Sequence, residues 1–194
     1  MKQLIKNTAT LFILLIISGC SVSHFAVRPS NIEGVDLKNS KLYVYSFLDL
    51  RENYFGPKLL SEFSKQISSE LNNSGVSTKI LTFKNTETGK YYINTDAGAI
   101  VPVQTVINSN KTDEQLYGAE NRLIIFPSKA SFEQARIDYE IRWELVDVKS
   151  GQVIWSTMSE GFHMNAWVPD EDPQPRAKKI VDAIIKEMQR NKII

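Results

Sequence analysis

Cysteine is nearly absent, with one among 194 residues. A single thiol excludes an internal disulfide and a zinc site built from several cysteines. Histidine is almost as scarce, with two. No spacing joins His24 to His163, and neither is taken as a base or a ligand. Charge of one sign is also missing: 23 Lys and Arg face 22 Asp and Glu, for a formal +1. That balance excludes a chain whose main task is to cover nucleic acid with positive charge. No apolar run reaches the roughly 20 residues of a membrane-spanning helix. The sequence holds no phosphate-cradling glycine loop, no Gly-x-Ser-x-Gly elbow and no His-Glu-x-x-His pair. Ser64, Ser68 and Ser69 have no base nearby, so no nucleophile is marked. Asp170, Glu171 and Asp172 lack the alternation of a calcium loop and read as a solvated turn. No catalytic residue, metal site or cofactor is expected. What remains is ordinary for a globular protein, 42% hydrophobic and 23% charged, which excludes wholesale disorder.

The amino terminus has a pattern of its own. Lys2 and Lys6 precede an apolar stretch from Ala9 to Ile17, broken only by Thr10, and Ser18, Gly19 and Cys20 follow. Positive residues, a short apolar core and small residues describe a secretory signal. A short anchor helix, with Cys20 an ordinary small residue, is the other reading.

Ile17-Ser18-Gly19-Cys20 resembles the lipobox of bacterial lipoproteins, with Ile where that family usually has Leu. The resemblance implies cleavage between Gly19 and Cys20, acylation of Cys20, and a mature chain that begins there. It implies three acyl chains, palmitate among them, where stable anchoring needs about two. Ser21 stands where an Asp would imply retention at the inner membrane. The implied location is therefore the outer membrane, lipid-anchored on its periplasmic face. Residues 1–19 hold Lys2 and Lys6 and no acid, so the mature chain would carry 21 basic and 22 acidic residues.

Three segments are expected: a signal at 1–19, the lipidated Cys20 with a flexible tether at 20–40, and one periplasmic domain at 41–194. A tether of that length averages roughly 25 Å as a flexible coil. Lys41 to Phe47 reads as a strand. Pro57 opens a helix whose Leu59, Phe63, Ile67 and Leu71 recur every four residues, and Gly75 stops it. Val76 to Phe83 is a second strand, which gives a right-handed βαβ unit. Arg122 to Phe126 is a third strand, ended by Pro127. Ala135 to Val148 alternates Ile137, Tyr139, Ile141, Trp143 and Leu145 with Asp138, Glu140, Arg142 and Glu144, which gives one wet face. Gly151 turns the chain into a return strand from Val153 to about Phe162. Ala177, Ile180, Val181, Ile184, Ile185 and Met188 mark a closing helix over about 175–190. The expected fold is α+β: a mixed β-sheet with helices on one face, in the order β-α-β, insert, β, β-hairpin, α.

Tyr139 to Trp155 resembles a hairpin pattern of several envelope proteins: the curli-secretion lipoprotein, the penicillin-binding-protein activator lipoprotein and the amino-terminal domain of the Tol translocation protein. The matching residues are Leu145, Asp147, Ser150, Gly151, Val153 and Trp155. Gly118 to Asn121 and Leu71 to Val76 are similar to the same group, and the likeness covers about residues 41–83 and 117–162. These are turn and core residues, so they imply fold rather than function. The order of elements is also similar to that of the lipopolysaccharide-assembly lipoprotein.

Two segments are candidates for partner contact. Ala99 to Ile107, with Ile100, Val101 and Val103, is apolar and interrupted by Pro102. It reads as an edge strand or short helix covering the sheet, as a partner-binding or self-association segment, or as a membrane hairpin. Phe162, Met164 and Trp167 lie close together after the hairpin, either capping the sheet or forming an aromatic contact patch. The expected function is a non-catalytic binding or adaptor module for an envelope protein partner, held to the membrane through Cys20. The alternative is a structural subunit of an outer-membrane secretion or transport assembly. An enzyme is not expected, and neither is a nucleic-acid partner.

Overall fold

The computed structural model describes residues 22–28, 31–32, 34–50, 55–84, 93–95, 98–100, 103–133, 136–164 and 173–194. Its centre is the predicted βαβ unit. Strand β3 (Lys41–Ser46) is followed by a 3-10 turn (Leu48–Leu50) and by helix α1 (Pro57–Asn73), which returns the chain to β4 (Ser77–Thr82). The two strands pair in parallel, Val44 opposite Ile80. Helix α1 starts on Pro57 and buries Leu59, Leu60, Phe63, Ile67 and Leu71. At its end the Val76 N–H donates to the Leu71 carbonyl at 3.0 Å. Gly75 holds φ 84° there, a conformation that side chains with a Cβ rarely adopt.

The remaining strands are β1 (Val22–Val27), β2 (Asn31–Ile32), β5 (Ile93–Thr95), β6 (Gly98–Ile100), β7 (Asn121–Glu133), β8 (Arg136–Asp147) and β9 (Val153–Met164). The main sheet runs β1-β9-β8-β7-β3-β4, with β2 pairing β9 beside β1, and β5 and β6 form a separate hairpin. β3 is parallel to β4 and β7, and the other pairs are antiparallel. The sheet is therefore mixed and the fold is α+β, as expected.

Helix α4 (Pro173–Arg190) lies beside α1 over one sheet face. Its Ala177, Ile180, Val181, Ile184 and Met188 join Leu42, Val44, Leu123, Ile125, Ile141, Trp143 and Leu145 in the main core. Fully burying each large aliphatic chain contributes about 1.5–3 kcal/mol. The Trp143 ring sits 6.1 Å from that of Phe63, and its indole N–H donates to the Ser159 hydroxyl at 2.8 Å.

The insert adds helices α2 (Val103–Ser109) and α3 (Lys111–Tyr117) on the opposite face, over β3 and β4. Val106 and Ile107 pack there on Tyr43, Tyr45, Phe47 and Phe83 in a second core. Of the alternatives for this segment, covering the sheet describes Val103 to Ile107.

Three boundaries differ from the sequence reading. First, residues 20–40 were expected as a tether, but β1 pairs six residues with β9, from Val22 opposite Met164 to Val27 opposite Ser159. Phe25 and Val27 pack on the main core, and the Leu37 N–H donates to the Ile193 carbonyl at 2.8 Å. The apolar residues of this stretch look scattered in the sequence, but Phe25 and Val27 share one side of a strand. Second, β7 does not stop at Pro127. A bulge between Pro127 and Lys129 absorbs the missing N–H, and pairing resumes with Lys129 opposite Glu140. Third, β9 runs on to Met164, past the expected end at about Phe162.

Candidate functional site

Because β7 runs past the end of β3, strands β7, β8 and β9 project as a three-stranded arm, bordered by β1. One face of the arm packs on α1 and α4. On the other, the second core reaches Ile124, Phe126 and Val146, and beyond Phe126 the face carries charged side chains. The alternation of β8 aims Arg136, Asp138, Glu140, Arg142 and Glu144 at this open face. Register adds Glu160 and Phe162 from β9 and Lys129 and Ser131 from β7.

These side chains form paired charges on a rigid sheet. The Arg136 guanidinium holds Asp138 in a fork, Nη2 to Oδ1 at 2.6 Å and Nε to Oδ2 at 2.9 Å. It also lies over the Phe162 ring, 4.2 Å from the centroid. Arg28, just past β1, reaches Glu160 on β9 at 2.7 Å and Glu140 on β8 at 3.7 Å. The hydrogen bond and charge of Glu160 raise the pKa of Arg28, and those of Asp138 raise that of Arg136. Both stay cationic at any ordinary pH. Between the two clusters is a hollow of about 390 Å³, lined by Lys129, Ser131, Arg136, Asp138, Glu160 and Phe162 among others. A surface of forked donors, carboxylates and one ring fits peptide or side-chain recognition, where geometry selects the partner.

A second titratable cluster fastens α3 to the sheet. Glu114 is fully buried and pairs with Arg122 at 2.9 Å. Burial raises the pKa of Glu114, and the charge of Arg122 opposes that rise. Next to it, Asp113 accepts from the Tyr43 hydroxyl and from Lys79 Nζ, each at 2.6 Å. The Lys79 hydrogen bond, then that of Tyr43, lowers the Asp113 pKa, while burial first of all raises those of Tyr43 and Tyr45. Glu114 and Arg122 are largely buried while Lys79 and Asp113 are partly exposed, and the cluster joins α3 to β3, β4 and β7.

Of the residues named from sequence, Phe162 lies on the open face and is half-buried beneath Arg136. Met164 ends β9 opposite Val22 and Arg136. Val103 packs against the second core, and Ile100 is placed as the last residue of β6. Gly19, Cys20, Val101 and Trp167 lie outside the described residues, as do Asp170, Glu171 and Asp172. His163 is buried on the core side of β9, opposite Ile137. Among the described residues, no group of three His, Cys, Asp or Glu could hold a metal ion. Among the same residues, no helix is long and apolar enough to cross a membrane.

Sequence reasoning missed Arg28, Lys129 and Glu160. The first lay in the supposed tether, the second beyond a proline read as a stop. Glu160 falls within the predicted return strand, whose alternation against β8 could have marked it.

No protein-family profile and no curated protein matches the sequence. Among solved structures, PelC from Paraburkholderia phytofirmans, described as a dodecamer, is similar at 14% identity and a TM-score of 0.49, over 84% of this chain and 97% of that one. Lipoprotein GNA1162 from Neisseria meningitidis is similar at 12% identity and 0.43, over 78% and 99% of the respective chains. The hypothetical protein CT253 from Chlamydia trachomatis gives 13% and 0.43, over 79% and 96%. At these identities and scores no residue's role is read across from them.

Proposed function

We propose that the chain is a lipid-anchored envelope lipoprotein whose open β7–β8–β9 face binds a protein partner. Its chemistry is surface complementarity, without a catalytic step. One observation carries this reading. The second sheet face is covered by helices over β3 and β4, whereas over the arm it presents ordered ion pairs and Phe162 around a hollow. Holding long Arg and Glu side chains in ion pairs costs rotamer entropy, and at a solvated surface such pairs return little stability. Recognition supplies the reason to keep the array in place. The anchor in this reading is Cys20, on the periplasmic face of the outer membrane, as the lipobox implies.

The test is photo-cross-linking in intact cells. A photoreactive residue replaces Ser131 on the open face or Lys65 on the exposed side of α1. The expected result is one discrete adduct from position 131 that Phe162→Ala weakens, with none from position 65. Equal labelling from both positions, or none from either, removes the reading.

A further inference from the structure

The strand register fixes more than the edge of the sheet. β1 begins at Val22, directly opposite Met164, the last residue of β9. Met164 in turn faces Arg136, the first residue of β8, and Arg136 faces Glu133, the last of β7. One end of the sheet is thus built from four strand termini, Val22, Glu133, Arg136 and Met164. Only Ser21 separates Cys20 from Val22. Two residue steps span at most about 7 Å. Along β9, 12 residues long, the far end of the strand is roughly 37 Å away. The tether expected from sequence would have left the domain free to tumble, but a link this short does not.

We infer that the domain stands on the bilayer by this end, with Glu133 and Arg136 towards the lipid headgroups and the β8–β9 turn at Lys149 to Gly151 pointing away. The inference rests on the proposed acylation of Cys20. The contact needs no basic patch. Arg136 is engaged by Asp138, and Glu133 is exposed and acidic, so the acyl chains hold the domain and the short link orients it. This posture sets the open face upright, at right angles to the membrane, where a periplasmic partner can reach it.

The experiment uses the full lipidated chain in vesicles of phosphatidylethanolamine and phosphatidylglycerol. Acylation consumes Cys20, so Glu133→Cys or Ser150→Cys supplies the single thiol for a fluorescent label. Lipids with a nitroxide on the headgroup serve as quencher. The expected result is several-fold stronger quenching at position 133 than at 150. Equal quenching, or the reverse order, overturns the inference. A ten-residue Gly/Ser insertion between Ser21 and Val22 has a mean span of roughly 17–19 Å. It should erase the difference while the chain still floats with the vesicles, and persistence of the difference also overturns the inference. Incorporation of labelled palmitate, checked in parallel, separates the two failures. Without incorporation both the anchor and the orientation fall, whereas incorporation with equal quenching sinks the orientation alone.

Discussion

At the scale of single residues, Ser159 shows how a small polar group can hold a large one. Its hydroxyl accepts from the Trp143 indole and lies 3.4 Å from the Ile141 carbonyl, where it donates, and neither Ser159 nor Trp143 has any exposure. Ser159→Ala leaves the indole N–H without this acceptor in the core. The expected loss is about 1–3 kcal/mol, read from the urea midpoint at unchanged m-value. A loss within error would mean that the indole finds another acceptor. Trp143 was legible as a core residue because it alternates with Arg142 and Glu144. Its partner was not, because the register of β9 shifts between Leu145 and Val146, and a bulge leaves no mark in the residue pattern. Gly151 was legible for the opposite reason. Its φ of 72° is a local demand that the turn makes on one residue type, and Asp147 next to it accepts from both the backbone and the hydroxyl of Ser150 at 2.6 Å.

At the scale of elements, the two long helices could be read from their apolar spacing, and the insert could not. Helices α2 and α3 have seven residues each. Seven residues make two turns, too few to establish a period and too few for stability without tertiary packing. What fixes α3 is Glu114, and a carboxylate on a short helix reads by default as solvated. Only Arg122 on the neighbouring strand makes its burial intelligible. Removing the cation alone by Arg122→Met should cost about 3–5 kcal/mol at neutral pH, because a buried carboxylate is left without its partner. The pH dependence has a definite sign. The folded-state pKa of Glu114 is raised, so its contribution to stability is full below the ordinary carboxylate range and is lost as pH rises through the raised value. The penalty of Arg122→Met should therefore shrink in acid, and the double variant Glu114→Leu with Arg122→Met should recover most of it at neutral pH. Thermal melts across pH 4 to 8 check all three expectations. A penalty independent of pH would show that Arg122 acts through packing of its stem.

At the scale of the whole molecule, the sheet closes on a strand that the sequence hid. The Arg28 N–H donates to the Met158 carbonyl, and in an antiparallel ladder every second residue back along β1 repeats that bond. Ala26→Pro should remove one rung, release β1 and lay bare the edge of β9. The expected outcome is loss of hydrogen-exchange protection at Glu160 and Phe162, with a greater tendency to associate edge to edge. Unchanged protection there would mean that β9 holds without its neighbour. The fold class was legible because hydrophobic periods and turn residues act locally. The edge strand was not, because Val22 to Val27 pair with residues more than 130 positions away, and only closure of the whole sheet selects them. That pairing has a mechanical side. A pull on the amino terminus, resisted by a partner on the arm, runs parallel to the strands. Such a load shears all six residue pairs of the β1–β9 ladder together instead of peeling them one by one. The domain is thus strongest to a pull along its amino-terminal strand, and weakest to a force lifting β1 sideways.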